Sequence, residues 1–155
     1  MDKINLKEDD ANIIFKWLES NFSDISYISL FNRNNNDFLF VYNNNYNGWG
    51  DEYYSKKYYE DCPLLKTAIG MAYTKKESFI VWNDIIQFED RSYKIEKQRN
   101  SFGVYNGMSL LLNHHNNIII LSLCSKENID PFVFLQSILS SKNDIMNMLK
   151  RKLNI

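Results

Sequence analysis

Tyr46, Trp49 and Tyr53 put polar-tipped aromatic side chains close together in one short stretch, Tyr42 to Leu65, which holds six tyrosines. Trp49 and Tyr53 stand at i and i+4, so on a helix they share a face. An indole offers one N–H donor, and a phenol both donates and accepts. Asp61 adds a carboxylate shortly afterwards, Trp82 a second indole, and Ser122 a hydroxyl inside the otherwise apolar run "IIILSLC". Polar tips on apolar bodies suit a small-molecule pocket with a few placed hydrogen bonds. They equally suit an amphipathic helix whose aromatics complete a core, and on residue type alone that packing reading carries more weight.

Catalysis has little to work with. His114 and His115 are adjacent in an expected hairpin turn, where neighbouring side chains point apart, so no shared metal is expected. The sequence holds no G-x-S-x-G, no H-E-x-x-H and no phosphate-cradling loop. Gly103 and Gly107 lie between a helix and a strand, the reverse of a dinucleotide fingerprint. The expectation is a protein that is not an enzyme and needs no cofactor.

The chain has 155 residues, of which 45% are hydrophobic and 15% aromatic, enough to bury a core as one domain over 1–155. A net charge of -1 leaves no basic face for nucleic acid, so direct binding to it is not expected. The two cysteines, Cys62 and Cys124, are too few for a disulfide framework. The N-terminus is charged from its second residue and has no signal-peptide core. The longest apolar run is far short of a membrane span. A soluble, cytoplasmic protein is expected.

The elements that must position these residues can be read from periodicity. Residues 6–21 follow a helical stripe through Ile13, Ile14, Trp17 and Leu18. "ISYISLFNR" and "FLFVYNN", separated by an Asn-rich turn, predict a β-hairpin. Residues 49–60 are expected as one helix, followed by another that starts at Pro63. "SFIVWND" is a short extended segment, and a charged helix runs from Asp84 to a stop at Gly103. "GVYNGMSLLLN" and "NIIILSLCS" form a second hairpin, and residues 131–152 a single last helix. The predicted class is α+β, an antiparallel β-sheet flanked by helices on both faces, a PAS/GAF-like α-β-α sandwich.

The order of these features resembles the autoinducer-binding domain of the LuxR family of quorum-sensing regulators. Members of that family show a Tyr-x-x-x-Trp-x-x-x-Tyr run, an Asp-Pro pair, a Trp, and glycines before the last two strands. The corresponding features here are Tyr46, Trp49 and Tyr53, "DCP" at 61–63, Trp82, and Gly103 with Gly107, followed by "IILSLC". The resemblance covers roughly residues 25–125 and implies an acyl-homoserine lactone as the signal ligand. It assigns the lactone carbonyl to the Trp49 N–H and the amide N–H to a carboxylate. The amide carbonyl falls to a hydroxyl of Tyr46 or Ser122, Tyr53 lies along the acyl chain, and Trp82 closes over the head group. Cys62 stands between Asp61 and Pro63, where the family has none. Either Asp61 turns inward through a local irregularity, the favoured arrangement, or Cys62 lines the cavity in its place.

A full-length LuxR regulator continues into a helix-turn-helix domain, and this sequence ends at Ile155 without one. The expectation is therefore a stand-alone domain that binds a small amphipathic signal. Its partners would be a second copy of itself or a LuxR-type regulator with which it forms mixed dimers. The alternatives are a protein-interaction module with a degenerate pocket, or a fragment of a longer DNA-binding regulator.

Overall fold

The computed structural model describes residues 6–34, 37–85 and 90–155. Five strands form one antiparallel sheet: β1 (Ile25–Asn34), β2 (Asp37–Asn43), β3 (Glu77–Val81), β4 (Gly107–His114) and β5 (Asn117–Ser125), in the spatial order β2-β1-β5-β4-β3. The helices are α1 (Glu8–Asn21), α2 (Trp49–Ser55), α3 (Pro63–Ala72), α4 (Asp90–Ser101), α5 (Pro131–Ser140) and α6 (Lys142–Lys152). The expected α+β sandwich, with helices on both faces of an antiparallel sheet, is the observed one.

The two faces of the sheet differ in what covers them. Side chains alternate across a strand, so Ile28 and Leu30 of β1, Leu110 of β4 and Leu121 of β5 share one face. There they pack with Ile14 and Leu18 of α1, Phe134 of α5 and Met148 of α6 in a continuous apolar core. On the other face Phe31, Leu111 and Ile120 meet Ala68 and Ala72 of α3. Tyr27 and Cys124 on that face meet Trp49, Trp82 and Cys62. Both faces of β4 and β5 are covered, which is why these strands read as near-continuous apolar runs rather than as alternation.

Several elements are shorter than periodicity suggests. The helix expected over 49–60 stops at Ser55, because Lys57 adopts φ 55°, and a single 3-10 turn follows at Tyr58–Glu60. The helix expected over 131–152 is two helices broken at Ser141 (φ -103°, ψ 8°), since one apolar stripe continues through the break. "WND" closes into a 3-10 turn at Trp82–Asp84 instead of extending β3. The charged helix is described from Asp90 and ends by Gly103, which takes φ +77° as its glycine suggested; residues 86–89 of its expected start lie outside the described residues, as do 35–36 of the first hairpin turn.

The Asn tract at 43–45 shapes the entry to α2. Asn44 Oδ1 accepts from Ile28 N at 3.1 Å and Asn44 Nδ2 donates to Ser26 O at 2.8 Å, so its amide extends the edge of β1 as a backbone would. Asn45, at φ 50°, accepts from Asp51 N through its side chain at 2.9 Å. Asparagine tolerates left-handed geometry and bonds local backbone, which suits it to this turn.

Candidate functional site

A cavity lies between the sheet and the layer formed by α2, α3 and α4. Its floor is a row of serines. Ser29, Ser122 and Ser109 occupy directly paired positions on β1, β5 and β4, and all three line the cavity. Ser109 Oγ lies 2.8 Å from Ser122 Oγ and accepts from Trp82 Nε1 at 3.0 Å. The two hydroxyls carry two protons and share one contact, so one proton is left for a further acceptor.

The roof is aromatic. Trp49 opens α2 and is 2% exposed. Its ring lies 5.7 Å from Tyr53, 5.8 Å from Tyr58 and 5.4 Å from Phe102. Tyr53 and Tyr54 line the cavity with it, and so does Tyr27 from β1. Burial pushes the Tyr27, Tyr53 and Tyr54 phenols well above the ordinary tyrosine value, with the Ser29 hydroxyl pulling the other way on Tyr27 and Tyr54. All three are therefore neutral donor-acceptors at physiological pH. The apolar wall is formed by Phe31, Leu64, Leu65, Ala68 and Ile120. The free volume is about 70 Å³, small beside the roughly 300–1,000 Å³ of typical ligand clefts.

Trp49, Tyr53, Trp82 and Ser122, singled out from the sequence, all line this cavity. Tyr46 does not. It opens the 3-10 turn Tyr46–Gly48, and its half-buried ring packs against the Trp49 cluster. The Trp82 N–H is already engaged by Ser109, so its role here is to orient the serine row rather than to meet a head group directly. Gly107 makes room for that indole, since a Cβ there would sit 2.5 Å from Trp82 Cε3.

The inward orientation favoured for Asp61 is corrected by the geometry. Asp61 pairs with Arg91 of α4, and its backbone carbonyl accepts from Ser92 Oγ at 3.3 Å. It is Cys62, 5% exposed, that lines the cavity. Pro63 restricts the preceding residue to extended backbone, and Cys62 sits at φ -73°, ψ 114°. The cysteine therefore needs no irregularity to turn inward beside Tyr53.

Residue type and spacing missed Ser29, Ser109 and Arg99. Ser109 and Ser122 carried the same signal, a lone hydroxyl in an apolar strand. Arg99 sits four residues after buried Ile95 on the inner face of α4, and it is itself 7% exposed. Its Nε donates to Val104 O at 3.1 Å, and its guanidinium stacks 4.9 Å from the Trp82 ring centroid.

Two wider clefts lie elsewhere, one of about 800 Å³ between Trp17 and Arg151 and one of about 350 Å³ beside His114 and Lys150, and neither holds any residue singled out for the aromatic site. Among the described residues, no group of three or more His, Cys, Asp or Glu could hold a metal ion. The His114 and His115 rings, expected to point apart, contact each other edge-on at 4.3 Å because both residues lie at the tip of the β4–β5 hairpin. Among the described residues, no helix is long and apolar enough to cross a membrane.

No protein-family model and no curated protein matches the sequence. Solved structures do share its fold. Escherichia coli SdiA matches 93% of this chain and 62% of its own at a TM-score of 0.66 and 15% identity. The N-acylhomoserine lactone dependent LuxR family transcription factor CepR2 from Burkholderia cenocepacia matches 95% of this chain and 96% of its own, at a TM-score of 0.65 and 14% identity. SdiA in complex with octanoyl-rac-glycerol matches 84% of this chain at a TM-score of 0.54 and 16% identity. This chain thus spans about three-fifths of the first SdiA chain and half of the second. The fold is the one the sequence resemblance implied.

Proposed function

We propose that this chain is a LuxR-type autoinducer-binding domain that holds a small amphipathic signal, of which an acyl-homoserine lactone is one candidate, in the cavity between α2–α4 and the sheet. The observation that carries this reading is the pairing of a serine row with one hydroxyl proton to spare and a largely buried aromatic roof. The shared fold with a lactone-dependent regulator supports it. Trp49 offers its indole N–H to a ligand carbonyl, Ser122 its hydroxyl to a second one, and Tyr53 lies along the tail. Each buried methylene of that tail contributes about 0.8 kcal/mol. Acceptance of a full ligand requires the roof to move outward from its present volume, and α2 is the element that moves, being short and flanked by left-handed residues at Gly48 and Lys57.

Signal binding would act on transcription through pairing with a second copy or with a full-length LuxR-type regulator. A second reading, an interaction module with a degenerate pocket, is favoured by the small free volume and by the outward turn of Asp61. Mass spectrometry of small molecules extracted from the purified protein separates the two. A co-purified amphiphile in stoichiometric amount supports the sensor. An empty protein that binds no acyl amphiphile yet pairs with a LuxR-type regulator supports the module.

A further inference from the structure

We infer that the head group this cavity takes is an anion, specifically the carboxylate of an acyl chain, with Arg99 as its counter-charge. The inference rests on the proposal that the cavity is a ligand site and names the class of ligand.

Arg99 is the sole charged residue among the described residues that line the cavity. It is buried, and one of its five N–H donors is spent on Val104 O. Its guanidinium also lies over the face of Trp82 and acts on the buried Cys124 thiol. The ion pairs Lys56–Glu52, Arg91–Asp61 and Lys150–Glu77 do not include it. A buried guanidinium is costly to desolvate, and the cost falls when an anion meets it. Asp61, the carboxylate next to Cys62, is already taken by Arg91, and Glu52, next to Tyr53, by Lys56, so the protein does not supply that anion from either.

The remaining polar groups around Arg99 point to the same chemistry. Trp82, which it stacks upon, donates to Ser109, and Ser109 shares a proton with Ser122. The spare hydroxyl proton of that pair needs an acceptor, and a carboxylate has acceptor capacity alone. The planar guanidinium matches a carboxylate in a two-pronged geometry that a lactone ring does not present. Conversely, an acyl-homoserine lactone brings an amide N–H that needs an acceptor, and no Asp or Glu is among the lining residues. The apolar end of the cavity, at Phe31, Leu65, Ala68 and Ile120, receives the chain.

The test measures binding of decanoate, methyl decanoate and decanoyl-homoserine lactone, each below its micelle concentration, by tryptophan fluorescence and calorimetry. Wild-type protein is expected to bind decanoate about tenfold or more tightly than the methyl ester, as a charge-assisted pair demands. Arg99→Gln is expected to abolish that preference and leave the ester affinity within about twofold, while Arg99→Lys retains part of it. Equal or tighter binding of the ester or the lactone to wild-type protein overturns the inference, whether or not the variants fold. So does an undiminished preference in a folded Arg99→Gln. Binding of the neutral compounds alone removes only the anionic head group; binding of none of the three removes the ligand-site reading as well.

Discussion

Trp82 Nε1 donates to Ser109 Oγ at 3.0 Å, tying the turn after β3 to the middle of β4. Both residues are buried, so neither group has water as a substitute partner. Ser109→Ala leaves the indole N–H unpaired and is expected to destabilise the fold by about 1–3 kcal/mol. Denaturant unfolding followed by circular dichroism measures this. A shift in the midpoint too small to resolve would show that the bond contributes nothing to stability.

Gly107 and Trp82 form a second close relationship in the same corner. A methyl group at Gly107 would lie 2.5 Å from Cε3, 2.6 Å from Cζ3 and 2.7 Å from Cδ2 of a rigid, buried ring. Gly107→Ala is expected to cost about 1–3 kcal/mol through overpacking and to shift the Trp82 emission. Thermal melts and fluorescence spectra of the variant check both effects together.

Asp61 and Cys62 are expected to behave oppositely. Asp61→Asn breaks a half-exposed pair with Arg91, worth about 1 kcal/mol or less, and should leave ligand affinity essentially unchanged. Cys62→Met crowds the cavity beside Tyr53 and is expected to weaken binding by about tenfold. Titration of both variants with whichever amphiphile the wild type binds gives the comparison, and loss of binding in Asp61→Asn would reverse the assignment.

Trp49→Phe keeps an aromatic ring under the roof but removes the N–H. If a ligand carbonyl accepts from that indole, binding weakens by roughly 1–3 kcal/mol while the unfolding midpoint moves little. Calorimetric titration alongside a melt separates the two effects, and unchanged affinity in the variant rules out the donor role.

Alkaline pH is expected to unfold the protein through its buried tyrosines. Burial raises the Tyr27, Tyr53 and Tyr54 phenols above their value in the unfolded chain, about 10. The folded state therefore retains protons that the unfolded state releases. Stability is intact below about pH 10 and falls as the pH rises above it. The share of tyrosinate absorbance at 295 nm that comes from these three phenols should appear only together with loss of far-ultraviolet circular dichroism, after that of exposed tyrosines such as Tyr73 and Tyr93. Full ionisation near pH 10 with the fold intact would contradict the burial of these phenols.

Much of the architecture was legible because it rests on local periodicity. The stripe through Ile14 and Leu18 marked α1, and the apolar runs of β4 and β5, joined by a short polar turn, marked a hairpin. The shared face of Trp49 and Tyr53 followed from helical spacing, and both line the cavity. Boundaries were less legible where a single backbone angle overrides a continuing side-chain pattern. Lys57 at φ 55° ends α2 early, and Ser141 divides α5 from α6 although the apolar stripe does not pause.

Residue types and their order were enough to determine the α+β class, the antiparallel sheet and four of the residues that line the cavity. Tertiary structure alone decided which partners those residues meet. Ser29, Ser109 and Ser122 become one polar row only through the register of β1, β4 and β5, and register depends on contacts between residues far apart in the chain. Asp61 and Cys62 are neighbours in sequence, yet one reaches Arg91 and the other the cavity, because Pro63 and the docking of α4 set the backbone between them. Arg99 reads as one more basic residue of a charged helix. Packing of α4 against Trp82 buries it, and that burial makes it the charge a ligand in this cavity would meet.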